Sequence, residues 1–168
     1  MIDLARINAW TEAETRQAFL RCCGAERWAS QLTQRRPFTS EADLLATARA
    51  VWRSLGSEDW LQAFAAHPKI GDSEALRHRF GQTAAWPATE QSGVTGAPEE
   101  VLQALAEGNA RYEARYGFRF IVCATGKTAG EMLVLLQARL ENDPDRELLL
   151  AAAEQEKITR LHLEKLSS

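Results

Sequence analysis

His67 is one of three histidines in the chain, and it stands directly before a proline in Ala66-His67-Pro68-Lys69-Ile70-Gly71-Asp72. A residue preceding proline is pushed out of the α region, so the helix carrying Trp60, Leu61 and Phe64 is predicted to stop beside it. An imidazole there faces the negative end of the helix macrodipole, which favours its protonated form. That arrangement suits a proton donor working near neutral pH. The plainer alternative is a helix stop with a hydrogen-bonded histidine. A second polar cluster, Thr89-Glu90-Gln91-Ser92-Gly93, follows the break at Trp86-Pro87. It offers a carboxylate that accepts hydrogen bonds beside an amide that both accepts and donates them. The third block, Phe118-Arg119-Phe120-Ile121-Val122-Cys123-Ala124, is β-like but too short and solitary to build a sheet. It is expected as an extended segment whose peptide groups need partners.

The elements around these blocks read as helical almost throughout. Thr11-x-x-Glu14 forms a capping box, opening a helix to Cys23 with Gly24 as its left-handed stop. A short helix over 27–34 ends before Pro37. Ser40 caps the clearest amphipathic segment, with Leu44, Leu45, Ala48, Val51, Trp52 and Leu55 at helical spacing. Gly56 ends it, and Ser57 or Asp59 starts the helix that leads into His67. From His67 to Ala97 the periodicity fades among several glycines and prolines, with a short helix predicted over 73–80. A loop-rich interval of this length in a helical domain usually carries function. Pro98 then opens a helix to Tyr116, capped by Gly117. Thr128-x-x-Glu131 is a second capping box and starts a helix to Leu140. Asn142-Asp143-Pro144 starts the last helix, with Leu148, Ala152, Ile158, Leu161 and Leu166 as the expected buried stripe. The fold class is therefore all-α: a single domain over 1–168, a bundle of about seven or eight helices with a long functional loop and one extended segment.

Composition narrows the function. The chain of 168 residues is about one domain long, with 45% apolar and 26% charged residues, the balance of a globular protein. A net charge of −3 argues against a nucleic-acid binder, and the arginines at 35–36 and 77–79 read as solvated faces. Three cysteines, two of them adjacent, make no disulfide framework and point to a reducing, cytoplasmic setting. The N-terminus lacks the apolar run of a signal peptide, and no window reaches the roughly 18 apolar residues of a membrane span. Gly126-Lys127-Thr128 resembles the tail of a phosphate loop, but position 121 is isoleucine where that loop needs glycine, so a helix cap is the better reading. His67, His78 and His162 lack the close spacing of a zinc motif, so no metal is expected. The five tryptophans fall mostly on apolar helix faces and are expected in the core.

Taken in order, the His67-Pro68 block, Glu90-Gln91-Ser92-Gly93, and Asn109-x-x-Tyr112-x-x-x-Tyr116-Gly117-Phe118-x-Phe120 together resemble the OHCU decarboxylases of urate breakdown. Their substrate is 2-oxo-4-hydroxy-4-carboxy-5-ureidoimidazoline. Arg35-Arg36-Pro37-Phe38 and the terminal helix from Lys157 to Leu166 extend the resemblance over nearly the whole chain. It implies cofactor-free decarboxylation of OHCU to (S)-allantoin by a homodimer, with His67 as proton donor. It also implies that Glu90 and Gln91 clasp the ring and ureido groups, with Pro68 beside them. The peptide groups of Phe120, Ile121, Val122, Cys123 and Ala124 would border the same ligand.

Such chemistry fits the residue types. Loss of carbon dioxide leaves an electron pair that the conjugated ring can spread, so the protein must orient the carboxylate and deliver one proton to one face. Arg139 is the candidate cation for the substrate carboxylate; its alternative is a solvated helix charge. The chain departs from the family pattern at Leu161-His162-Leu163, where relatives tend to read Leu-Arg-Leu. Two other readings stay open from sequence: a non-enzymatic helical interaction module, and a paralogue acting on a related ureido or imidazoline acid.

Overall fold

The computed structural model describes residues 1–67 and 99–166. Among them all regular structure is helical: α1 (Leu4–Ala9), α2 (Glu12–Cys22), α3 (Glu26–Gln34), α4 (Glu41–Ser54), α5 (Ser57–Ala65), α6 (Glu99–Tyr116), α7 (Ala129–Arg139) and α8 (Pro144–Glu164). The expected helix over 73–80, together with His78, Trp86 and Pro98, lies outside the described residues. These residues form two compact units. The first holds Met1–His67, Ile121–Cys123 and α8 from Leu148 onward; the second holds α6 with Phe120, and the stretch from Ala124 to Glu147 with α7.

In the first unit α3 packs against α2, α4 and α5. Trp28 is fully buried and meets Phe19 edge-on at 6.0 Å, while its indole N–H donates to the Ala48 carbonyl at 3.0 Å. Trp52 donates likewise to the Ala152 carbonyl at 3.0 Å, which fixes α8 against α4. These two indoles therefore bury large apolar faces without stranding their donors. Two of the five tryptophans, Trp28 and Trp52, are buried as expected of core residues.

The helix starts follow local chemistry. Thr11 and Glu14 make the reciprocal capping box of α2, and Ser40 and Thr128 accept from Asp43 N–H and Glu131 N–H. Gly117 has φ +78 and donates its N–H to Glu113 O at 2.8 Å, ending α6 in the left-handed cap its position predicts. Gly24 is different. Positive φ occurs only at Gly117 and Gly126 among the described residues, and α2 ends instead on an extended Cys23. Gly24 is required by close approach: a Cβ there would lie 2.4 Å from Ala66 Cβ. The missing side chain lets α5 seat its last turn, and with it His67.

The buried face of α8 also departs from the apolar stripe expected of it. Ala151, Ala152, Gln155, Thr159 and Leu163 are the buried positions from Leu148 onward, whereas Leu148, Ile158, Leu161 and Leu166 are only half-buried. Residues four apart share a helix face, and here two of those places went to polar side chains because tertiary partners satisfy them. In the second unit α6 packs on α7. No helix of the described residues is long and apolar enough to cross a membrane.

Candidate active site

Helix α5 buries Ala63 and Phe64, then stops as the following proline demands: Ala66 is the C-cap, and His67 N–H donates to Phe64 O at 3.2 Å. This fixes the backbone of His67 one turn past a packed helix. Its ring Nε2 lies 2.5 Å from Gln155 Oε1 on α8. Gln155 is itself buried, and its amide N–H donates to Thr159 Oγ1 at 3.1 Å, one turn further on.

The segment after α6 carries neither helix nor sheet ladder. Ile121 and Cys123 are buried, while Val122 and Ala124 are half-buried. Cys123 N–H donates to Glu154 Oε1 at 3.4 Å. Glu154 and Gln155 are consecutive residues of α8. That helix therefore holds, by adjacent side chains, both the His67 ring and a peptide group of the Ile121–Cys123 stretch. Neither Glu154 nor Gln155 was singled out from sequence. The signal that could have found Gln155 is the spacing Gln155–Thr159 on a face whose other positions, Ala151 and Leu163, are apolar.

Arg139 occupies the second unit. It is neither a solvated helix charge nor an open cation: it is 8% exposed, and its Nη2 lies 2.5 Å from Glu147 Oε1. Arg139 Nε donates to the same oxygen at 2.6 Å, the Tyr112 hydroxyl donates to it at 2.5 Å, and Asn142 Nδ2 donates to Oε2 at 3.0 Å. Glu147 is fully buried, and these donors satisfy both of its oxygens. Burial, then the hydrogen bond to Glu147, pushes the Tyr112 phenol above its ordinary range. The Arg139 guanidinium also sits 4.6 Å over the Phe120 ring, which Tyr112 meets edge-on at 5.2 Å.

His162, where the relatives' arginine was expected, uses Nδ1 to bond the Cys22 carbonyl at 3.0 Å. Arg160, two positions before it, pairs with Glu164 at 2.9 Å on an exposed face. Burial raises the Cys22 thiol to about 12 and the Cys23 thiol to about 11, so both are packing groups and poor nucleophiles. Pro68, Glu90 and Gln91 lie outside the described residues.

A family model described as OHCU decarboxylase matches residues 8–164. This chain belongs to the OHCU decarboxylase family. It is 41% identical over 150 residues to the uric acid degradation bifunctional protein TTL of Arabidopsis thaliana, covering 88% of this chain but only 45% of that protein. It is 29% identical to the 2-oxo-4-hydroxy-4-carboxy-5-ureidoimidazoline decarboxylase of Amia calva, over 78% of this chain and 74% of that one. Among solved structures, an OHCU decarboxylase crystallised in the presence of (S)-allantoin superposes with a TM-score of 0.71 at 39% identity, covering 88% of this chain and 95% of that one. The OHCU decarboxylases are carboxy-lyases by class.

Proposed function

We propose that this chain decarboxylates OHCU to (S)-allantoin, with His67 as proton donor. The observation that carries the reading is the pairing on α8. Adjacent side chains hold the His67 ring and a peptide group of the Ile121–Cys123 segment, two of the groups that the family resemblance assigns to the ligand. In the reaction the C–C bond to the carboxylate breaks and its electron pair spreads into the conjugated ring. The His67 imidazolium then places a proton on one face of the adjacent ureido-bearing carbon, as the hydroxyl-bearing carbon gives up its hydroxyl proton and becomes the carbonyl. Glu90 and Gln91 clasp the ring and ureido groups, beside Pro68. The peptide N–H and C=O groups from Phe120 to Ala124 read the urea-like edge with no side-chain entropy to lose. Fixed dipoles of this kind are usually the largest contribution to such a site.

We assign Arg139 to holding Phe120 at the start of that segment, in place of the carboxylate contact first expected of it. Opening its buried pair with Glu147 would cost several kcal/mol. A decarboxylase also gains nothing from binding the ground-state carboxylate tightly, because that charge leaves the carbon it came from. The resemblance further supports a homodimer, and three buried cysteines outside any disulfide suit the reducing cytosol.

The test is freshly generated OHCU with the purified protein, followed by circular dichroism of the product. Excess (S)-allantoin formed faster than spontaneous decay supports the proposal. Racemic product at the spontaneous rate removes it, and an interaction module would give that result. Turnover of a different ureido acid with none of OHCU would instead identify the paralogue.

A further inference from the structure

We infer that Gln155 is the positioning residue that selects the His67 tautomer, and so makes Nδ1 the nitrogen that gives up the proton. The inference rests on His67 being the donor. Gln155 Nε2 donates to Thr159 Oγ1 at 3.1 Å, which turns the amide oxygen toward His67 Nε2 at 2.5 Å. A carbonyl oxygen can only accept, so His67 Nε2 must carry a hydrogen in both the charged and the neutral ring. The proton that comes and goes is then the one on Nδ1.

During turnover the Nδ1–H bond breaks as the new C–H bond forms on the substrate carbon. The ring is left as the neutral Nε2–H tautomer, still bonded to Gln155, and water returns a proton to Nδ1 for the next cycle. Geometry around the amide is rigid. Gln155 is 1% exposed, and its helix is pinned one turn earlier by the Trp52 indole bonded to Ala152 O. Thr159, whose hydroxyl receives the amide N–H, is 6% exposed and also hydrogen-bonds the Cys23 thiol. A residue that orients an imidazole through its far nitrogen fixes both its tautomer and its aim, as partners of ligating histidines do in metal sites. A carboxamide does so without adding a buried charge.

The decisive readout is multiple-bond proton–nitrogen correlation on protein labelled with 15N-histidine, with the His67 signals assigned by their loss in His67→Ala. The expected result is a neutral ring protonated on Nε2. A ring protonated on Nδ1 overturns the inference, whatever the activity. Kinetics supply the second arm. Gln155→Leu should lower kcat about 10- to 100-fold, within the share that positioned proton transfer can contribute, while KM moves less than about threefold. Gln155→Glu keeps an acceptor oxygen, with the Thr159 hydroxyl turning to donate, and should recover most of that loss and retain the Nε2–H tautomer. It also decides the matter should the leucine variant fail to fold. Wild-type kcat in Gln155→Leu overturns the inference. Racemic product from the wild-type protein would defeat the proposed activity alone, because the tautomer measurement does not depend on turnover.

Discussion

His67→Ala is expected to lower enzymatic formation of (S)-allantoin by about 10²- to 10⁴-fold, the range of a positioned proton donor. The product should approach the racemate, because OHCU also decays without enzyme and that route then dominates. The fold should survive. Trp28, Phe19 and Phe64 are fully buried in the core of the first unit, whereas His67 lies past the last turn of α5, where its ring meets Gln155. Far-ultraviolet dichroism unchanged from wild type, combined with lost product handedness, is the predicted pair of results. Full stereoselectivity in the alanine variant would remove His67 from the chemistry.

The second large effect is on stability. Glu147→Ala deletes the carboxylate that receives Arg139, Tyr112 and Asn142, and leaves a buried guanidinium without its counter-charge. Breaking one side of a buried ion pair costs about 3–5 kcal/mol, which for a chain of this size lowers Tm by roughly 6–20 °C. Replacing Arg139 and Glu147 together by methionine and leucine should cost less than Glu147→Ala alone, because no charge is then stranded. Calorimetry on the single and double variants measures both. A loss below about 1 kcal/mol in Glu147→Ala would show that the pair is solvated in solution.

The sequence was most legible where structure is decided locally. The Thr11 capping box, the Ser40 and Thr128 caps, the left-handed Gly117 and the stop of α5 at His67 each depend on a few neighbouring residues, and each stands where its pattern placed it. α1 escaped notice because six residues are too few to display a period. Gly24 was misread as a left-handed cap. Its reason lies in Ala66, far along the chain, and no local pattern carries such a contact.

The polar places on α8 were missed on the same grounds. Gln155 and Thr159 are poor core residues until His67 and a neighbouring helical turn complete their hydrogen bonds. Arg139 shows the converse: a charge near a helix end reads as a substrate cation or a solvated group until Glu147 and Phe120 are seen against it. The candidate site divides similarly. His67 and the segment from Phe120 to Ala124 stand out by residue type, whereas the two α8 side chains that meet the His67 ring and the Cys123 N–H emerge only from the fold.

The most direct test of the account is a crystal structure of this protein with (S)-allantoin, read for what the ligand touches. Allantoin is expected within hydrogen-bond distance of the His67 ring and of peptide groups in the Ile121–Cys123 segment. Allantoin bound away from both, with the His67 ring enclosed only by protein side chains, would contradict it.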